Sequence, residues 1–111
     1  MQNLLSRTKM TVVQPSGHIN AANATNFQQH LIEAVESGHH SALLVDMSQV
    51  ESLDSAGLMA LVSALTTAQQ LEKRFSICSV PPSIRIIFEV TQLDRVFNIF
   101  ETRSAGEMAL A

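Results

Sequence analysis

Tryptophan and tyrosine are absent, cysteine occurs once, and only four glycines punctuate the chain. Each scarcity excludes something. Without Trp or Tyr, stacking platforms for bases or sugars are not expected. The lone Cys78 rules out a disulfide within the chain, and its apolar strand-like surroundings read as a small core position. Glycines stand only at 17, 38, 57 and 106, so neither a P-loop nor a dinucleotide fingerprint can be built. There is no run of Lys or Arg and the formal net charge is −3, which argues against direct binding to a nucleic-acid backbone. No apolar stretch approaches the roughly 20 residues of a membrane span. Met1 to Met10 is too polar for a signal peptide. These exclusions predict a cytoplasmic protein with no membrane part.

Chemistry is equally sparse. Histidines stand at 18, 30, 39 and 40, but no His-Glu-x-x-His or Cys-x-x-Cys spacing occurs. His39 and His40 are adjacent and cannot both point at one ion from a helix or strand. They read as a solvated loop pair after Gly38, and no metal or cofactor is expected. Ser55 as a nucleophile would require a base and an orienting group. Asp54 is its neighbour in sequence and points elsewhere, so the chain reads as a non-enzyme.

What is present is an alternating pattern. The 111 residues are enough for one domain, and 46% of them are hydrophobic, sufficient for a core without staples. Lys9 to Gln14 reads as a strand ending at the Pro15-Ser16-Gly17 turn. Leu4-Leu5 suggests an earlier edge strand beside it, and His18-Ile19 a brief extension of the sheet. Asn20 reads as the N-cap of a helix running to about Ser37, with Ala24, Phe27, Leu31, Ala34 and Val35 on its apolar face and Gly38 as its stop. Ala42 to Met47 reads as a central strand, with Asp46 tied to the following turn. A helix after Ser55 carries Leu58, Leu61, Val62, Leu65 and Ala68 inward, while Gly57, Ala60 and Ala64 keep another face narrow. Phe75 to Val80 reads as a strand. Ser83, after Pro81-Pro82, reads as the cap of a helix to Val90 with Ile84, Ile87 and Phe88 inward. Val96 to Phe100 reads as the last strand, and a polar, then Ala-rich tail follows Thr102. The core thus spans about 4–102. Alternation of this kind predicts an α/β fold whose sheet is parallel in its central part.

Within this pattern residues 45–58, Val-Asp-Met-Ser-Gln-Val-Glu-Ser-Leu-Asp-Ser-Ala-Gly-Leu, are the most informative. A buried strand, a short polar connection and a helix start follow one another. One hydroxyl and one carboxylate arrive together at a helix N-terminus, a place suited to a phosphate. The plain alternative is that both are N-cap residues and Gly57 eases a tight entry. Against it stand the sheet-end location and the pairing of two cap residues where one suffices. Asn20 has the same two readings at the neighbouring strand-to-helix turn. Met59 lies off the core stripe and is expected to be exposed.

In order and spacing, Gly17-His18-Ile19-Asn20, then Leu53-Asp-Ser-Ala-Gly-Leu58, then Ser83 to Asp94 resemble the motifs of STAS domains found in bacterial anti-sigma factor antagonists. The resemblance covers nearly the whole chain. It implies a single STAS domain over 1–111, with a mixed β-sheet of four to five strands and helices packed on one face. It further implies a partner switch. An anti-sigma factor with serine kinase activity phosphorylates the serine after the motif aspartate, here Ser55. The unmodified antagonist binds that kinase, and a PP2C-type phosphatase resets it. The surface expected to meet the partner comprises Asn20, Asp54, Ser55, Ala56, Gly57 and Met59; homodimerisation is left open. Two positions depart from the pattern: Asn20 replaces the usual aspartate, and Gln92 stands where glycine is common. The alternative is a non-switching STAS interaction module within a larger signalling or lipid-transport assembly.

Overall fold

The most apolar run of the chain is also the most deeply placed. Ala42–Asp46 is buried at every position and forms strand β3. The structure, a computed structural model, describes residues 10–37 and 40–110. The suggested strand at Leu4-Leu5, the helix stop at Gly38 and His39 lie outside them. Around β3 the elements run β1 (Met10–Val13), β2 (Ser16–Ile19), α1 (Ala24–Glu36), then β4 (Gln49–Leu53), α2 (Ser55–Gln70), β5 (Arg74–Cys78), α3 (Pro82–Val90), β6 (Asn98–Phe100) and α4 (Arg103–Leu110). A 3-10 turn at Leu93–Arg95 links α3 to β6. Among the described residues the main sheet has the order β1-β3-β5-β6, and a second sheet pairs β2 with β4. Every pairing is parallel. The α/β class with a parallel central sheet is therefore as expected.

Alternate residues of β3 serve two cores. Leu43 and Val45 face Leu31, Val35, Leu61, Leu65, Ile84 and Phe88 from α1, α2 and α3. Ala42 and Leu44 face a smaller cluster with Cys78 and Leu110. Phe97 joins α3 to the sheet: its ring lies edge-on to Phe88 at 5.6 Å and tilted to Phe75 at 6.1 Å. Aromatic pairs in these geometries add to their area burial.

Several local expectations are corrected. Residues 49–53 are not merely a polar connection; they form β4, with Val50 and Leu53 inward and Gln49, Glu51 and Ser52 out. Ile19 and His18 do not extend the main sheet but pair with Leu53 and Ser52 in the second one. The Ala-rich tail is a helix, α4, which covers the face of the sheet opposite the other three. Gly106 permits this, because a Cβ there would stand 3.0 Å from Leu44. Ser83 does not cap α3. Pro81 takes the cap position and Pro82 begins the helix, where its missing N–H is no loss. The last strand starts at Asn98 rather than Val96, since Phe97 turns inward and Val96 is exposed.

The helix exits are informative as well. After α2, Glu72 adopts φ +57°, its amide bonds to Gln69, and the Lys73 amide reaches back to Ala68, the double bond pattern of a left-handed C-terminal stop. After α3, Gln92 does the same at φ +62°, with its amide on Glu89. That conformation is why glycine suits this position.

Candidate functional site

The β2–β4 pairing brings the two strand-to-helix turns together. Ile19 lies opposite Leu53, and the next residues on each strand are Asn20 and Asp54. The Asp54 amide donates to the Ile19 carbonyl at 3.1 Å, extending the ladder by one bond. Beyond that bond both chains turn into helices.

Asp54 is the N-cap of α2. Its backbone is extended, and Oδ1 accepts the Gly57 amide at 3.0 Å. Oδ2 accepts the amide of Ala21, from the other turn, at 3.2 Å. One carboxylate thus closes the start of α2 and ties the two loops to each other. Its negative charge is favourable beside the positive helix end.

Asn20 is half-buried but does not cap α1. The cap position belongs to Asn23. Asn20 instead shapes the turn: its Oδ1 accepts the Ala22 amide at 2.9 Å, and its carbonyl accepts the amides of Asn23 and Ala24. Asn23 locks the turn in return. Its Oδ1 accepts the Asn20 amide at 2.9 Å and its Nδ2 donates to the His18 carbonyl at 2.8 Å. Side chains of this type compete with helix geometry and favour such turns. Nothing in the local sequence marks Asn23 over Asn20 for this role except its position three residues after Asn20, with two alanines between.

Ser55 is the first residue of α2, and it is exposed. With Asp54 holding both the Gly57 and Ala21 amides, no hydrogen bond engages the Ser55 hydroxyl among the described residues. The amides of Ser55 and Ala56 belong to the first helical turn, which has no intrahelical acceptors for them. Ala56 is half-buried and Gly57 is buried. A Cβ on Gly57 would stand 2.5 Å from Leu53 Cδ1 and 2.8 Å from Ile19 Cγ2. The glycine lets the α2 start press against the ends of both β2 and β4. Met59, one turn on from Ser55, is 58% exposed, while Leu58 is buried as the core stripe requires.

The two turns therefore present Asn20, Asp54, Ser55 and Met59 from adjoining elements, with Gly57 beneath them. On the second sheet, His18 and Ser52 are joined side chain to side chain at 2.7 Å. An open groove of about 540 Å³ lies beside the Asn20 turn, lined by Val13, Pro15, Ile19, Asn23 and Phe27 among others; Ser55 is not part of its lining. The serine is displayed on the surface rather than set in a cavity, a geometry that suits a macromolecular contact better than a small ligand. Among the described residues no cluster of three or more metal-ligating side chains occurs, and no helix is long and apolar enough to cross a membrane.

Comparison with known proteins places this arrangement. The protein BtrV of Bordetella bronchiseptica, provisionally named an anti-sigma factor antagonist, is 25% identical over 100 residues, covering 90% of this chain and 85% of BtrV. The crystal structure of an anti-sigma factor antagonist from Mycobacterium paratuberculosis is similar at TM-score 0.79 and 29% identity, over 91% of this chain and 85% of that one. The unphosphorylated form of the anti-sigma factor antagonist SpoIIAA shares the fold at TM-score 0.75 and 13% identity, over 91% of this chain and 87% of that one. The family model for the STAS domain matches residues 3–106. With a match of that extent and the two-turn geometry above, the chain belongs to the STAS domain family.

Proposed function

We propose that this chain is an anti-sigma factor antagonist. In this reading it binds an anti-sigma factor with serine kinase activity through the surface formed by Asn20, Asp54, Ser55, Ala56 and Met59, with Gly57 buried beneath them as their support. Phosphorylation of Ser55 ends that binding, and a PP2C-type phosphatase restores it. The observation that carries the reading is the division of labour at the start of α2. Asp54 does the capping, so the exposed Ser55 hydroxyl is left free for modification. The similarity to relatives named for this role supports it.

A phosphate on Ser55 adds a charge of roughly −1.5 to −2 at neutral pH. The amides of the first turn of α2 offset part of the repulsion from Asp54. The domain stays folded, and the change acts on the partner. A surface matched to a neutral hydroxyl then has to desolvate a dianion, at a cost of several kcal/mol, about a hundredfold or more in affinity.

The test is a pull-down from lysate of the source organism with wild type, Ser55→Ala and Ser55→Asp as baits. Recovery of an ATP-dependent serine kinase by the first two and not by Ser55→Asp is expected. Equal recovery of one partner by all three would replace the switch with a constitutive interaction module.

A further inference from the structure

Asp46 is buried at the end of β3, and three parts of the chain converge on it. Its Oδ1 accepts the Ser48 amide at 2.9 Å. Its Oδ2 accepts Nε2 of Gln14 at 3.2 Å and lies 3.7 Å from Nη1 of Arg103. Arg103 is held in turn on α4, where its Nε donates to Glu107 at 3.0 Å. A buried carboxylate requires compensation, and losing the cation beside it leaves an expensive uncompensated charge.

Gln14 lies in the connection between β1 and β2, and Ser48 in that between β3 and β4. The two connections also touch, with Gln14 Nε2 donating to Ser48 Oγ at 3.4 Å. Both run directly into the second sheet, whose far ends carry Asn20 and Ser55. Among the described residues that sheet has only two strands. Its pose relative to the main sheet rests on these connections and on the packing beneath it.

We propose that Asp46 and Arg103 are positioning residues for the Ser55 surface. Arg103 locks Asp46 in place, Asp46 holds both connections, and the connections fix the arm made of β2 and β4. The C-terminal helix, on the opposite side of the main sheet, thereby sets how firmly the two turns are held. The assignment of a function to that firmness rests on the proposed role of Ser55. The lock itself is a property of the free chain and is tested without any partner.

The experiment is residue-resolved amide hydrogen exchange on the full chain, comparing wild type, Arg103→Met and Arg103→Lys. Methionine keeps much of the packing and removes the charge; lysine returns the charge to a contact made through one nitrogen. In Arg103→Met the amides of Ala21, Ser48, Val50 and Asp54 are expected to exchange about tenfold faster, a local opening. Those of Leu44, Val45 and Ile77 in the main sheet stay as in wild type. Arg103→Lys recovers most of the lost protection. Unchanged exchange in the arm overturns the proposal. So does an equal acceleration in arm and main sheet, which would mark a general loss of stability, or a lysine variant as loose as the methionine one. None of these outcomes depends on whether Ser55→Asp loses a kinase in the pull-down.

Discussion

The backbone amide of Ala21 donates to the side chain of Asp54 at 3.2 Å, across the two-stranded sheet. This single bond joins loops that are 33 residues apart in sequence and makes one surface of two helix starts. Asp54 is therefore a structural keystone of the surface as well as a neighbour of Ser55.

Replacing Asp54 with alanine removes the cap on Gly57 and the tie to Ala21 together. We expect a loss of about 1–2 kcal/mol in unfolding free energy, measured by urea denaturation. Asp54→Asn retains an acceptor for Gly57 and should lose less than half of that. An alanine variant as stable as wild type would contradict the geometry.

Gly57→Ala introduces a methyl where Leu53 and Ile19 stand at 2.5 and 2.8 Å. Helix propensity favours alanine by about 1 kcal/mol, but two core side chains have to move. We expect net destabilisation of about 1–3 kcal/mol, with amide shifts in an NMR spectrum confined to residues near 19, 53 and 57.

Ser55→Ala and Ser55→Asp are expected to lie within about 0.5 kcal/mol of wild type in stability, because among the described residues the hydroxyl makes no bond that holds the fold. Phosphorylated protein should melt close to the unmodified form. A collapse of the melting temperature on phosphorylation would mean that the modification acts on this domain and not on its partner's affinity.

Gln92→Gly relieves a left-handed residue at φ +62°. The strain removed exceeds the entropy that glycine adds to the unfolded chain. The variant is expected to gain about 0.5–1 kcal/mol, read from the denaturation midpoint. This departure from the family pattern is thus a matter of backbone geometry.

Burial, and next the charge of Asp46, push the Cys78 thiol above its ordinary value of 9.0. In the unfolded chain it ionises first. Its contribution to stability is fully present below pH 9.0 and is lost as pH rises through the higher folded value. Wild type should therefore lose stability above pH 9.0 more steeply than Cys78→Ala, and the two should run parallel below it.

Much of this was legible in the chain because the signals are strong and local. Leu43, Leu44 and Val45 form a continuous apolar run of the kind that suits a central strand, and Leu58, Leu61 and Leu65 recur at helical spacing. β4 was not legible. Its inward positions are Val50 and Leu53, so three polar residues dominate five and the strand pairs only with β2. α4 was hidden for another reason. Its inward face is little more than Gly106 and Leu110, and Arg103 packs by charge instead of by area. At the site, the proximity of Asn20 to Asp54 comes from the β2–β4 pairing, which the polar pattern of residues 49–53 conceals, and the choice of Asn23 over Asn20 as the cap depends on backbone angles that no spacing encodes.

The all-parallel sheet has a kinetic consequence. No pair of its strands can be closed by a hairpin; Thr11 has to find Leu43, and Leu43 has to find Phe75, each across a helical crossover. Contacts of such long range delay the transition state. The strand edges of β3 and β5 stay open until the crossovers close, so a newly synthesised chain is most exposed to self-association before α1 and α2 have docked.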